Sequence, residues 1–166
     1  DPVTRTEKAM PPSGFVAGLY ARVDNEMGVW KSPTGPVLGA LGLARPVTAA
    51  DADALNPAGV CTIREFSGSG IQVWGARTIS GDPEWRYVSV RRLMIFLEES
   101  IREGTAWAGF EPNDEPLWAR LRSDVDDFLI SLWRAGAFQG ATADEAFFAR
   151  VDRTTMTGAD IDAGRT

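Results

Sequence analysis

Asp82 and Glu84 are separated by one residue, and Glu111, Asp114 and Glu115 cluster further along the chain. Carboxylate pairs at a fixed separation drive glycoside hydrolysis, one as acid and the other as base or nucleophile. Both groups coincide with turns and helix starts, Gly81-Asp82-Pro83 and Glu111-Pro-Asn-Asp-Glu-Pro116. Acidic side chains there accept from free amides and oppose the helix dipole, so capping is the favoured role. Asp124, Asp126 and Asp127 form a third acidic group. Neighbouring aspartates on a helix point in different directions and no Asp-x-Asp-x-Asp-Gly loop follows, so a solvated helix face explains them better than a metal. The sequence has no histidine. That removes Ser-His-Asp and Cys-His catalysis and histidine-based metal sites unless another chain donates one. Ser13 has no base to activate it and reads as a helix cap. Cys61, the single cysteine, reads as a small buried hydrophobe in a strand. The glycine-rich stretches do not match Gly-x-x-x-x-Gly-Lys-Ser/Thr, so no phosphate cradle is expected. Neither catalytic residues nor a cofactor or metal site is assigned.

The elements that position these groups follow from periodicity and punctuation. Val16, Leu19, Tyr20 and Val23 recur at helical spacing over Ser13–Asn25. Gly14, Ala17, Gly18 and Ala21 form a small-residue stripe on that helix. Glycine weakens an isolated helix, so the stripe implies burial against another backbone. Residues 26–47 are rich in Gly and Pro and read as a long ordered connection and a domain boundary. Thr48 with Asp51 opens a short helix that stops at Asn56-Pro57. Val60–Phe66 and Ile71–Arg77, joined by Ser67-Gly-Ser-Gly70, predict a hairpin. Val90, Leu93, Met94, Leu97 and Ile101 mark a helix over Val88–Glu103 with Gly104 as its C-terminal cap. Thr105–Phe110 reads as a short buried strand. Asn113 or Asp114 caps a helix running to Arg134, with Leu117, Leu121, Val125, Phe128 and Leu132 on its apolar face. Thr142-Ala-Asp-Glu145 predicts a capping box, Phe147–Asp152 another strand, and Thr157–Asp160 a last short helix ended by Gly164. The order predicts an α+β fold, helices packed on a small mixed β-sheet.

Composition sets the outer bounds. A chain of 166 residues, 44% hydrophobic and 24% charged, holds one domain, or one plus a piece of another, with a real core. No apolar run approaches the roughly 20 residues that span a bilayer, so no membrane insertion is expected. The amino-terminal stretch lacks a signal-peptide layout and an initiator Met, which reads as a fragment or a processed chain. A net charge of -6 opposes general nucleic-acid binding. Arginine outnumbers lysine 15 to 2, either from codon bias or because planar guanidinium pairs serve subunit contacts.

Six tryptophans stand out: Trp30, Trp74, Trp85, Trp107, Trp118 and Trp133. Most read as core. Trp118 and Trp133 lie off the strict apolar line of their helix and are the better interface candidates. The densest stretch is Val73–Leu93, where Trp74, Arg77, Asp82, Trp85, Arg91 and Arg92 crowd one strand, one turn and one helix start. It reads as a rigid structural corner, not a reaction centre.

From Pro11 to Arg165 the chain resembles the C-terminal part of contractile phage tail sheath proteins. The resemblance is carried by Pro11-Pro-Ser-Gly-Phe-Val-Ala-Gly18, Gly28-Val-Trp-Lys-Ser-Pro33, Leu55-Asn-Pro-Ala-Gly59, Val73-Trp-Gly-Ala-Arg-Thr78 and Asp82-Pro-Glu-Trp-Arg-Tyr-Val-Ser-Val-Arg-Arg-Leu93. Glu98-Glu-Ser-Ile101, Phe110-Glu-Pro-Asn-Asp114, Gly140-Ala-Thr142 and Asp152-Arg-Thr-Thr-Met-Thr157 continue it in order.

The resemblance implies that residues 1–36 close a subtilisin-like domain that is not proteolytic, that 37–50 connect, and that 51–166 form the sheath core domain without its final strand and arm. It implies a structural subunit of a phage tail or phage-like injection particle, assembled in the bacterial cytoplasm. Its partners would be neighbouring subunits in a helical homo-oligomer, an inner tube and a baseplate, with arms adding strands to a neighbour's sheet. Contraction would drive the tube through a target envelope without a nucleotide. A chain ending here would leave a sheet edge unsatisfied. The core domain would meet the tube, and Arg120, Arg122, Asp124 and Asp127 on the 114–134 helix are the candidates for that contact. Two alternatives stay open: a carboxylate-based hydrolase, and a monomeric protein-binding scaffold.

Overall fold

A computed structural model describes residues 6–163. Contacts divide the chain into two compact units, Asp1–Met94 and Ile95–Thr166.

The first unit opens with α1, Ser13–Met27. Its amino-terminal boundary residue is Pro12, and no side chain caps it, so Ser13 is the first helical residue and not the expected cap. Proline suits this place because its missing N–H would go unused there. The Gly14, Ala17, Gly18 and Ala21 stripe is exposed, contrary to the expected burial. Inside the presumed connection lies β1, Gly35–Pro36. α2, Ala49–Leu55, carries the complete Thr48/Asp51 capping box. β2, Thr62–Phe66, and β3, Gly70–Trp74, form the predicted hairpin.

The sheet order is β1-β3-β2 and every pair is antiparallel, which replaces the expected mixed sheet. Gly35 and Ile63 both stand opposite Val73, so β1 is tied directly to the hairpin. Residues 37–50 fall within the first compact unit. Alternation along β3 buries Ile71 and Val73 on one face. They join Leu19 and Val23 of α1 and Val37 in one buried cluster. The other face carries Phe66 and Trp74, ring centroids 5.0 Å apart, with the Arg64 guanidinium 4.9 Å from the Phe66 ring. Cys61 precedes β2 and is exposed, which corrects its reading as a buried strand residue.

α3, Val88–Gly104, begins in the first unit and ends in the second. Gly104 is its last residue. In the second unit, Thr105–Phe110 is a 3₁₀ turn, Ala106–Phe110, and not a strand. Its amides are satisfied locally: Ala108 N–H donates to the Thr105 carbonyl and Glu111 N–H to that of Ala108. Phe110 is 95% exposed, so the run is not buried throughout. α4, Glu115–Arg134, is the spine of this unit. Asp114 caps it by accepting from Leu117 N–H at 3.0 Å. Leu117, Trp118, Leu121, Leu129 and Leu132 are its buried side chains, while Val125 and Phe128 are half-buried.

α5, Ala143–Ala146, follows, but Thr142 makes no side-chain cap bond. Glu145 instead accepts from Ala141 N–H at 2.9 Å. Among the described residues Phe147–Asp152 forms no strand, which corrects the second predicted strand. Phe147 N–H closes back on the Ala143 carbonyl and Asp152 N–H donates to the Thr155 hydroxyl. α6, Gly158–Asp162, carries the expected Thr157/Asp160 capping box. The predicted stop at Gly164 lies outside the described residues.

Candidate functional site

The Val73–Leu93 corner is a closed loop between β3 and α3. Arg77 and Tyr87 form an antiparallel bridge. Thr78 N–H donates to the Arg86 carbonyl at 2.8 Å and Val88 N–H to that of Ala76 at 2.9 Å. The Thr78 hydroxyl donates to the Trp85 carbonyl at 2.5 Å. At the tip, Asp82 accepts from Glu84 N–H at 2.9 Å and caps the 3₁₀ turn Pro83–Trp85. Asp82 is thus a capping residue, and Asp82 and Glu84 are both exposed. Gly59 fits beneath the loop at φ 78°, where an added Cβ would stand 2.3 Å from the Thr78 carbonyl oxygen. Only glycine tolerates that approach.

The corner's aromatic and basic residues serve three separate contacts. Trp74 is half exposed and pairs with Phe66. Trp85 is half-buried under the Arg91 guanidinium, 4.9 Å from its ring. Arg92 reaches α1, donating to Asp24 Oδ1 at 2.7 Å and Oδ2 at 2.5 Å, with its guanidinium 5.1 Å from the Tyr20 ring. Such a forked pair is both strong and directional. The bonds from Arg92 hold the Asp24 carboxyl below its ordinary range, and burial raises the Tyr20 phenol. This clamp between α1 and α3 was not visible in the sequence, because Asp24 and Arg92 are 68 positions apart.

α4 divides its candidates between core and surface. Trp118 is 5% exposed and packs with Ala108, Leu117 and Leu121 against Trp107, Val151 and Met156. Its indole N–H donates to Asn113 Oδ1 at 2.6 Å. It is a core residue, not a surface anchor. Trp133 is half-buried and its indole N–H donates to the Gly140 carbonyl at 3.2 Å. Arg120, Arg122, Asp124 and Asp127 are exposed. The Arg120 guanidinium stacks 3.9 Å from the centre of the Trp107 ring. Arg122 pairs with Asp126 at 3.5 Å, and Glu115 with Arg153 at 2.8 Å. Arg122, Asp126, Asp127, Asp152 and Arg153 line an open groove of about 630 Å³ over Trp118 and Val151. A hydroxyl hydrogen bond from Thr154 holds the Asp152 carboxyl below its usual range. Among the described residues, no group of three or more Cys, Asp or Glu side chains is placed to hold a metal. No helix there is long and apolar enough to cross a membrane.

The acids at Asp82 and Asp114 are thus engaged as caps, and Arg120 and Arg122 by a ring and a carboxylate. Comparison with known proteins makes the class specific. Residues 1–79 match the phage tail sheath protein central domain, and residues 80–163 match the phage tail sheath C-terminal domain. The chain is 33% identical over 153 residues to the tail sheath protein of Burkholderia phage BcepMu, covering 86% of this chain and 32% of that one. It superposes with a TM-score of 0.90 and 41% identity on a chain of the anti-feeding prophage (AFP) baseplate, covering 93% of this chain and 44% of that one. A chain of the PVC sheath complex, an extracellular contractile injection system in its contracted state, gives a TM-score of 0.89 at 40% identity, covering 94% and 45%. The chain belongs to the phage tail sheath protein family. It spans less than half the length of these relatives.

Proposed function

We propose that this chain is the C-terminal part of a contractile sheath subunit. The subunit polymerises helically around an inner tube, and contraction of the lattice drives the tube through a target envelope. The observation that carries this reading is the likeness across 94% of the chain to a sheath complex solved in the contracted state. Its role is structural, not enzymatic. Asp82 and Asp114 serve as caps and Glu115 is paired with Arg153, which accounts for these acids without hydrolysis. Its place is the tail or injection particle, assembled in the bacterial cytoplasm, with neighbouring subunits, tube and baseplate as partners.

The finer assignments rest on the sequence resemblance together with particular surfaces. The 1–36 segment as the close of a subtilisin-like domain rests on the resemblance alone. Strand addition by a neighbour's arm is supported by β2, which pairs on one side with β3 and on the other with no described strand. The exposed charges of α4, Arg120, Arg122, Asp124 and Asp127, are assigned to the tube contact, and Trp133 at the far end of that helix to a subunit contact. Sedimentation of the full-length gene product co-produced with its tube protein tests the reading. Fast-sedimenting polymers are expected, and a single small species at high concentration would favour the monomeric scaffold. Reversing Arg120 and Arg122 to Glu should abolish the polymers while leaving the subunit folded. Unchanged polymers would remove α4 from the tube contact.

A further inference from the structure

The second unit presents one bare aromatic ring on a fixed backbone. Phe110 ends the turn Ala106–Phe110 and is 95% exposed. Its surroundings are held in place. Ala108 is buried, Trp107 packs on the same cluster beneath the Arg120 guanidinium, and Glu111 N–H donates to the Ala108 carbonyl. Phe110 is therefore a pre-organised knob whose backbone loses little freedom on docking. Glu111 beside it is exposed and, among the described residues, makes no ion pair. Asp114 and Glu115 differ, being engaged by the helix cap and by Arg153.

The first unit carries a surface of opposite character. On the outer face of the hairpin Trp74 is 50% exposed beside Phe66, and the Arg64 guanidinium lies 4.9 Å from the Phe66 ring. Arg64 Nε is shielded from solvent and, among the described residues, has no hydrogen-bond acceptor. A shielded donor without an acceptor is destabilising, and an arriving carboxylate relieves it with a charge-assisted bond. Aromatic rings beside an arginine have the composition of an interface hot spot. We propose that Phe110 and Glu111 of one copy dock on this face of a second copy, the ring against Trp74 and Phe66 and the carboxylate on Arg64. The contact joins two unlike patches of one chain, so it is heterologous and repeats along a helical polymer. It occupies the face of the sheet and leaves the β2 edge open for strand addition. It rests on the assembly reading given above and names one contact within it.

The test uses the full-length gene product, produced with its tube protein and carrying the photo-crosslinker p-benzoylphenylalanine in place of Phe110. Ultraviolet light should give a dimer-sized adduct whose linked peptide contains β2 or β3. An adduct within one chain, on another segment of the neighbour or on the tube protein overturns the proposal, and so does the absence of any adduct between subunits. Charge exchange reads the contact independently. Glu111→Arg and Arg64→Glu should each lower the yield of sheaths at least about tenfold, and the double variant should restore most of it. Glu111 is exposed, so the unassembled Glu111→Arg subunit should keep the wild-type Tm. Full sheath yield from Glu111→Arg overturns the contact, as does failed recovery in a double variant that keeps the wild-type Tm. Wild-type sheaths alongside either result leave the assembly reading standing, whereas a wild type that forms no sheath removes both.

Discussion

The two units solve the same packing problem with different ranges of contact. In the first, the buried cluster draws Leu19 and Val23 from α1, Val37 from the connection and Ile71 and Val73 from β3, so distant segments must meet. In the second, Leu117, Trp118 and Leu121 lie within two turns of α4. Ala108 joins from the preceding turn, and Val151 and Met156 close over them from the chain that follows. The first unit needs a sheet to bring its parts together. The second needs one long helix with segments laid against it, and those segments satisfy their amides locally.

The sharpest way to separate the units is to hollow each in turn. Trp118→Ala should cost about 3–5 kcal/mol, and Leu19→Ala about 2–5 kcal/mol. Denaturant unfolding gives the size, and hydrogen exchange gives the place. Trp118→Ala should expose amides of α4 first, and Leu19→Ala those of α1 and β3. Equal loss across both units from either change would break the comparison.

The corner gives a smaller effect. Trp85 is half-buried under Arg91, so Trp85→Ala should cost about 1–2 kcal/mol. A cost near that of Trp118→Ala would mean the ring is a true core residue.

The clamp on α1 comes next. Asp24 and Arg92 keep roughly a quarter of their side-chain surface exposed, 27% and 26%, so Asp24→Asn should cost about 1 kcal/mol at neutral pH. The folded state holds the Asp24 carboxyl below its ordinary value. The pair's contribution is therefore full above the unfolded carboxylate range, near pH ~4, and is lost as pH falls through the lower folded value. Wild type and Asp24→Asn should converge in stability on acidification. A difference that persists unchanged at pH ~2 would contradict the pairing.

The smallest contrast is between two threonines that read alike in the sequence. Thr48 completes its capping box and Thr142 does not. Thr48→Ala should cost about 1 kcal/mol, and Thr142→Ala less than about 0.5 kcal/mol.

What could be read from the sequence follows the same divide. The α-helices, the hairpin and the caps at Thr48, Asp114 and Thr157 depend on neighbours in the chain, and all are present. Thr105–Phe110 and Phe147–Asp152 look like strands because their composition is apolar. A strand needs a partner at the right register, and α4 offers side chains, not a ladder. The core role of Trp118 was hidden because the buried stripe of α4 is wider than the strict period, taking in Leu129 as well. β1 is two residues long and carries a proline, so no pattern announces it. The exposed α1 stripe shows the limit of composition: small residues permit close approach without supplying a partner. The surface charges of α4 were legible as a solvated face, but stacking of Arg120 on Trp107 needs the fold.

The central claim is that these two units belong to a sheath subunit that assembles on a tube. Negative-stain electron microscopy of the full-length gene product, produced together with its tube protein, tests it most directly. The account predicts helical sheaths of uniform width around a thinner tube. Bare tubes beside dispersed single subunits would contradict it.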